Sequence, residues 1–172
     1  IILRLLAKKY RETKNFVDAL SEASSTMEGA YSAACLTGRG EMMIFRDPCG
    51  FKPLCYGKTD EFIMCASESV AIDICGVKNI VDVPPGEVLL ISDSGIERQR
   101  FAPCKRRAHC MFEYVYFSRP DSILDSISVH QVRLNLGTIL ARLHPVNADM
   151  VVPIPDSGRV AAIGYSQESG IP

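Results

Sequence analysis

The spacing of apolar residues changes twice along this chain, and these changes constrain the fold more than any other feature. Before Gly29 the apolar residues have helical spacing, with Ile1, Ile2, Leu5 and Leu6 on one face. Short apolar runs bounded by Gly, Pro and Asp follow at 31–36, 42–46, 62–66 and 88–92, which is typical of antiparallel strands, and Glu97 to Phe101 would be the return strand of a last hairpin. Because helices and strands occupy separate stretches, we expect an α+β fold here.

A third pattern begins after residue 110. Met111 to Phe117 is strand-like, and an apolar stripe at helical spacing runs from Val129 to Leu143. Asp149 to Ile154 is an apolar run without alternation, which predicts a strand buried on both faces of a parallel sheet. A Pro-Asp-Ser-Gly turn and a second helix over 160–169 follow. This order predicts the beginning of an α/β unit.

Composition excludes several classes of function. The 172 residues carry a net charge of −1, so no basic surface for nucleic acid or an anionic membrane is expected. No apolar run approaches the roughly 20 residues that a bilayer span needs. The seven cysteines form no C-x-x-C pair, which favours reduced thiols in a cytoplasmic protein. The basic stretch Ala102–Ala108 is predicted to be a linker, with one domain over 1–105 and a second over 106–172.

The string Arg46-Asp47-Pro48-Cys49-Gly50-Phe51-Lys52-Pro53-Leu54 is the first that points to chemistry. Arg46, Asp47, Gly50 and Lys52 suit an internally paired polar network that braces a site, although a plain surface hairpin fits the spacing equally well. The string resembles the Arg-Asp-x-x-Gly-x-(Arg/Lys)-Pro-Leu element of glutaminase domains that use an N-terminal cysteine nucleophile. Ala66-Ser67-Glu68 and Pro85-Gly86-Glu87 fall where that family has similar elements.

The string Cys110-Met111-Phe112-Glu113-Tyr114-Val115-Tyr116-Phe117-Ser118-Arg119-Pro120-Asp121-Ser122 is more specific. It resembles the domain junction of the amidophosphoribosyltransferase family, with Ser118 standing where Ala is common. Later strings at 128–130, 135–137 and 152–158 also fit, so the resemblance covers essentially the whole chain. It implies the C-terminal half of an N-terminal-nucleophile glutaminase domain with αββα layers, followed by the start of an α/β type I phosphoribosyltransferase domain.

The resemblance implies a two-step enzyme of purine biosynthesis. One domain hydrolyses glutamine through a cysteine thiolate, and the ammonia displaces pyrophosphate from phosphoribosylpyrophosphate to give 5-phosphoribosylamine. Attack on an amide needs a strong nucleophile, and departure of pyrophosphate needs Mg²⁺ and backbone donors. The family's nucleophile is the first residue of the mature protein, whereas this sequence starts at Ile1 and has no cysteine before Cys35. We therefore expect an internal fragment with no catalytic residue of its own, inactive in isolation.

Three other positions carry expectations from the family. Ser157 matches its hydroxyl at the Mg²⁺ site, and Asp156 beside it is a second candidate for substrate binding; an ordinary N-cap role for Ser157 and a turn role for Asp156 are the alternatives. Cys110 matches the first of four thiolate ligands in the members that hold a [4Fe–4S] cluster, and otherwise is a buried thiol. The resemblance also implies feedback by purine nucleotides and a homo-oligomer.

Two other functions remain open on the sequence alone. Another glutaminase-domain enzyme, such as one similar to asparagine synthetase, would share the element at Arg46–Leu54 but not the junction at Glu113–Ser122. A naturally short, non-catalytic regulatory module would have lost both active sites.

Overall fold

The chain opens with two helices, α1 (Ile2–Thr13) and α2 (Phe16–Ser24). Lys14 adopts a left-handed conformation at φ 58°, which ends α1. The Asn15 side chain then accepts hydrogen bonds from Val17 N at 2.8 Å and Asp18 N at 3.2 Å, and so caps α2. The helical prediction for this region is confirmed, and Asn15 explains why there are two helices.

Antiparallel strands follow, as predicted. The described residues, 1–104 and 106–172 of this computed structural model, include β1 (Ser32–Leu36), β2 (Met42–Arg46), β3 (Cys55–Lys58), β4 (Ile63–Ala66), β5 (Ile80–Asp82), β6 (Glu87–Ser92) and β7 (Gly95–Arg100). One sheet has the order β1-β2-β6-β7 and the other the order β4-β3-β5. The five predicted runs are confirmed as strands, whereas β3 and β5 were missed because each is short and lacks clear alternation.

The core is arranged in layers around the four-stranded sheet. On one face of this sheet, Met43, Phe45 and Val88 pack with Leu6 and Leu20 of the two helices. The opposite face contributes apolar side chains to a second cluster, together with residues of the three-stranded sheet and its loops: Ile44, Leu54, Val83, Leu89, Tyr56 and Cys65. The alternation of strand side chains therefore builds a helix layer, a sheet and a second sheet, and the α+β class is confirmed.

The structure separates into two compact units, Ile1–Ser67 with Val77–His109, and Glu68–Gly76 with Cys110–Pro172. The second unit contains α3 (Ser69–Asp73), a π-helical turn (Glu113–Phe117), and the hairpin β8 (Ile123–Leu124) and β9 (Ile127–Ser128). It also contains α4 (Val129–Leu143) and α5 (Gly158–Ser169), as predicted.

The prediction of a strand over Met111–Phe117 is wrong. This segment is helical and ends in the π-helical turn, in which Ser118 N donates to Glu113 O at 3.1 Å. Tyr114 is buried while Tyr116 and Phe117 are more than half exposed, so the segment buries one side chain of its turn. Aromatic and β-branched residues favour strands only where a neighbouring strand is present to pair with them.

The prediction of a doubly buried strand over Asp149–Ile154 is also wrong. The segment is not a strand, and Val152 and Ile154 are 71% and 85% exposed. Val151 N nevertheless donates to Pro172 O at 2.7 Å, so the chain returns beside this segment after α5. One backbone hydrogen bond therefore joins the segment before α5 to the end of the chain after it.

The helix α4 is confirmed, but it does not bury its apolar stripe. Its buried residues are Val129, Arg133, Gly137 and Ala141, which are spaced four apart. Leu136, Ile139, Leu140 and Leu143 of the predicted stripe are 39% to 68% exposed. Gly137 and Ala141 are the small residues of this face, and Gly137 lies close to the backbone of α5.

The predicted linker at Ala102–Ala108 is partly packed. Ala102 is buried in the helix-facing core, and Ala108 N donates to Cys49 O at 3.0 Å. Lys105 lies outside the described residues, so the proposed domain boundary after it stays a prediction. No helix in the described part of the chain has the length and apolar character to cross a membrane.

Candidate functional site

Arg46 lies at the end of β2 and is 1% exposed. Its guanidinium donates to three carbonyl oxygens: Nε to Lys52 O at 2.7 Å, Nη2 to Gly50 O at 2.8 Å, and Nη1 to Val83 O at 3.1 Å. A fork of fixed donors is suited to holding several backbone segments at once. Arg46 therefore ties the turn at 47–52 to the loop that precedes β6.

The Asp47 carboxylate organises the same turn from the other side. Oδ1 accepts from Cys49 N at 2.9 Å, and Oδ2 accepts from Phe51 N at 3.0 Å and Tyr31 N at 3.4 Å. Asp47 is itself 1% exposed. A buried carboxylate that accepts backbone N–H bonds is well compensated for its lost hydration.

Two glycines make the close approach possible. Gly50 has φ +61°, and a Cβ there would lie 2.6 Å from Pro85 Cγ. Gly86 has φ +72°, and a Cβ there would lie 2.2 Å from Ala102 O. Gly86 N also donates to the carbonyl oxygens of Arg46 and Asp47 at 3.2 and 3.1 Å. The structure thus brings Arg46, Asp47 and Gly50 together with the carbonyl of Lys52 in one buried network.

A pocket of about 450 Å³ opens beside this network. Pro48 and Cys49 of the turn line it, together with Phe101 and Pro103 and the serines of α2 and its C-terminal end. Arg46 and Asp47 do not line this pocket, because their polar atoms point inward to the backbone. Their role in the geometry is to hold the turn, while the turn itself presents side chains to solvent.

Two thiols of the first unit, those of Cys35 and Cys65, are poorly suited to act as nucleophiles. Burial raises the pKa of both Cys35 and Cys65, which disfavours the thiolate at neutral pH. All seven cysteines are free thiols. That none of the internal cysteines replaces an N-terminal nucleophile stays a prediction.

The junction segment is held by side chains that the sequence analysis did not single out. Arg133 of α4 is 2% exposed, and donates from Nε to Tyr114 O and from Nη2 to Ser118 O, both at 2.7 Å. Its desolvation lowers the pKa of the guanidinium. The sequence offered one indication of this role: Arg133 lies four positions from both Val129 and Gly137, and so on the face of α4 that is buried.

Ser118, the one departure from the family's junction, has a local explanation. Its side chain is 2% exposed, and Oγ donates to Glu113 Oε2 at 3.1 Å. The added hydroxyl therefore has a partner within the π-helical turn, so the change from alanine leaves no buried polar group unsatisfied.

Cys110 lies at the start of the junction and is 6% exposed. Among the described residues, no group of three or more His, Cys, Asp or Glu side chains is arranged to hold a metal ion. Cys110 can supply one thiolate ligand, and a four-thiolate cluster cannot be assembled from the described residues alone.

Asp156 and Ser157 form the turn that leads into α5. The Asp156 carboxylate is 85% exposed and pairs with Arg159 at 2.9 Å. The N-cap alternative for Ser157 is wrong in its usual form, since the residue has helical φ and ψ and makes no side-chain cap bond. The Ser157 hydroxyl and the Asp156 carboxylate thus lie at the start of a helix, where negatively charged groups are stabilised. Both supply oxygen atoms, the ligands that Mg²⁺ takes in proteins.

Comparison with known proteins supports the family resemblance. A family model described as "Glutamine amidotransferase domain" matches residues 2–73. Amidophosphoribosyltransferases of Methanothermobacter thermautotrophicus and Archaeoglobus fulgidus are each 46% identical over 172 residues, covering 100% of this chain and 36% and 37% of their own length. The chain therefore spans about a third of the length of these relatives.

A solved structure shows the same fold. The Bacillus subtilis glutamine phosphoribosylpyrophosphate amidotransferase, complexed with ADP and GMP, matches with a TM-score of 0.89 and 40% identity over 97% of this chain and 37% of that chain. The resemblance first indicated by the strings at Arg46–Leu54 and Cys110–Ser122 is confirmed over the whole chain, which is similar throughout its length to a segment of amidophosphoribosyltransferases.

Proposed function

We propose that this chain is part of an enzyme that transfers glutamine-derived ammonia to phosphoribosylpyrophosphate, giving 5-phosphoribosylamine, pyrophosphate and glutamate. The observation that carries the proposal is the 46% identity to amidophosphoribosyltransferases over all 172 residues. An asparagine synthetase-like enzyme would not account for similarity that continues through the junction and α5.

The chemistry divides between two sites. Glutamine hydrolysis needs a cysteine thiolate and donors for the oxyanion. The Arg46–Asp47 network contributes to that site by holding the 47–52 turn, not by touching the substrate. Burial raises the pKa of Cys35 and Cys65, so neither offers a ready thiolate, and the 172-residue chain alone is expected to release no ammonia.

At the transferase site, Asp156 and Ser157 would help to bind phosphoribosylpyrophosphate and its Mg²⁺. Mg²⁺ prefers oxygen ligands, and when bound it neutralises the charge of departing pyrophosphate. The Ser157 hydroxyl would serve as a ligand to that ion, and the start of α5 would orient phosphate oxygens through its backbone N–H groups. Asp156, which already pairs with Arg159, would help to set the position of that arginine.

Several further properties belong to the same proposal. The B. subtilis relative is complexed with ADP and GMP, which supports regulation of this enzyme by purine nucleotides. A cytoplasmic location fits the seven free thiols, and a homo-oligomeric state is carried over from the family resemblance. A [4Fe–4S] cluster would use Cys110 together with three thiolates that the described residues do not bring to it.

A chimera tests the proposal directly. The matching segment of the B. subtilis enzyme, 43% identical over 155 residues, would be replaced by this chain and assayed for 5-phosphoribosylamine and for growth without purines. We expect activity in the chimera and none in the isolated chain. A folded chimera that hydrolyses glutamine but makes no phosphoribosylamine would contradict the transferase assignment.

Ser157 is tested within the same chimera. Ser157→Ala should raise the KM for phosphoribosylpyrophosphate severalfold, because one oxygen ligand is lost. Ser169→Ala removes a hydroxyl from the other end of α5, which bonds Tyr165 O, and serves as the matched control. An unchanged KM in Ser157→Ala would exclude a ligand role.

A further inference from the structure

The segment Glu68–Gly76 has an unusual position in the chain. The first unit contains the residues on both sides of it, up to Ser67 and from Val77, whereas the segment itself packs within the second unit. Strand β4 ends at Ala66, so a single residue, Ser67, separates this strand from the segment. The segment therefore follows directly on a strand of the first unit.

The Glu68 carboxylate fastens the segment to a turn about fifty residues later. Oε2 accepts from Arg119 N at 2.8 Å and from Ser122 Oγ at 2.7 Å. The adjacent Ser69 Oγ accepts from Ile123 N at 2.8 Å. Three hydrogen bonds from two consecutive residues thus hold the segment to 119–123.

These bonds are made at the expense of a local one. Glu68 occupies the N-cap position of α3, yet its side chain makes no cap bond. An N-cap side chain normally satisfies the first N–H groups of its own helix. Here the carboxylate is directed to residues 51 and 54 positions away instead. Local propensity does not explain that choice.

One of the two bonds to the carboxylate is sheltered from solvent. Ser122 is 0% exposed, and a hydrogen bond to a carboxylate in such a setting is stronger than a neutral one, whereas the bond from Arg119 N is exposed. Desolvation lowers the pKa of the buried Arg133, and the charge of Glu68 partly opposes that effect. Arg133 in turn holds the carbonyls of Tyr114 and Ser118. Glu68 and Arg133 therefore hold neighbouring parts of one short stretch, residues 114–122.

We propose that Glu68 is a positioning residue that couples the 119–123 turn to strand β4. When the turn keeps its conformation, both donors reach the carboxylate and β4 is held at its end. When the turn changes, both bonds are lost together, and the strain passes through Ser67 to the β3–β4 ladder, where Cys55 pairs with Ala66. This inference rests on the proposed function, since it would link the glutaminase half of the enzyme to its transferase half.

Hydrogen exchange measured by mass spectrometry on this chain tests the coupling without any substrate. Glu68→Ala should raise exchange about tenfold in peptides covering 119–128 and also in peptides covering 55–66. Glu68→Gln should restore most of the protection, because an amide oxygen can accept both bonds. The control is Glu61→Ala, an exposed carboxylate seven residues earlier, which should change neither region.

Ser122→Ala provides the second, milder arm. This substitution removes only the hydroxyl that donates to Glu68 and leaves Glu68 itself in place. Faster hydrogen exchange in 55–66 would then have to be transmitted by Glu68. If either variant raises exchange in 119–128 but leaves 55–66 unchanged, the coupling is refuted and Glu68 only anchors its own segment. Because neither glutamine nor phosphoribosylpyrophosphate is used, this result is independent of whether the proposed reaction is correct.

Discussion

The contact between α4 and α5 depends on two glycines, and Gly137→Ala tests how much. A Cβ at Gly137 would lie 1.9 Å from Ala161 O and 2.9 Å from Tyr165 N. The reciprocal contact is equally close, since a Cβ at Gly164 would lie 2.1 Å from Leu134 O. Both obstacles are backbone atoms, so no side-chain rotation can relieve the overlap.

The expected cost follows from that distance. To reach ordinary contact at 3.4 Å, the helices must separate locally by about 1.5 Å. Overpacking costs about 1–3 kcal/mol, and a contact with rigid backbone falls toward the upper end. Alanine returns about 1 kcal/mol through its higher helix propensity. We therefore expect Gly137→Ala to lower the free energy of unfolding of the second unit by about 2 kcal/mol.

Gly158→Ala is the matched control. Gly158 is the first residue of α5, and a Cβ there would meet nothing within 4 Å. This variant should be neutral or slightly stabilising, because only helix propensity changes. The comparison therefore separates the steric effect from the effect of losing a glycine.

Calorimetry together with hydrogen exchange of α4 and α5 peptides measures both variants. In a unit of this size, a loss of about 2 kcal/mol lowers Tm by roughly 8–16 °C. Separation of the helices should also weaken the bidentate Arg142–Glu168 pair, now at 2.8 and 3.0 Å. If Gly137→Ala proves as stable as Gly158→Ala, the close helix contact is not a determinant of stability and the reasoning fails.

Three other measurements follow from single side chains. The Tyr31 hydroxyl is buried without a hydrogen-bond partner among the described residues, and burial raises its pKa to about 12. Tyr31→Phe should therefore raise the free energy of unfolding, measured by urea titration, by about 1 kcal/mol. A loss of stability would instead show that the hydroxyl has a partner. Arg142 lowers the pKa of Glu168, so NMR titration should place the pKa of this carboxyl below its usual 4.5. The ion pair should stabilise the fold above pH 4.5 and lose this effect as the pH falls through the lowered pKa of Glu168. A normal pKa would show that the exposed pair does not form. Finally, Cys75 is exposed and Cys55 is 2% exposed, so thiol labelling of the native chain should modify Cys75 first, and equal rates would contradict the burial of Cys55.

Much of the secondary structure could be predicted from local sequence. The helices before Gly29, five of the strands and both long helices of the second unit follow from apolar period and turn residues. The turns at Asp47–Gly50 and Pro84–Gly86 form where glycine supplies positive φ, as the φ values of Gly50 and Gly86 show. These features depend on neighbours within a few positions, so a single sequence contains the information.

Strand and burial predictions failed where the deciding partner is distant. The aromatic run at 111–117 has strand-like composition but no strand beside it, and it becomes a π-helical turn. On α4 the apolar stripe is exposed, while Arg133 and Gly137 are buried. Periodicity identifies an amphipathic helix, but it does not show that a glycine face allows closer approach to another helix than leucines do.

The sequence by itself determined most of the helices and strands, the resemblance to amidophosphoribosyltransferases and the location of the Arg46–Asp47 turn, because these rest on local pattern and on a long matching string. Tertiary structure alone decided that Glu68 bonds a turn 51–54 residues away rather than its own helix. It also decided that Arg133 holds the junction by two backbone carbonyls. The physical reason is that a charged side chain removed from water must bond to donors or acceptors that the fold brings near it. Those partners are distant in sequence, so the neighbouring residues do not reveal them.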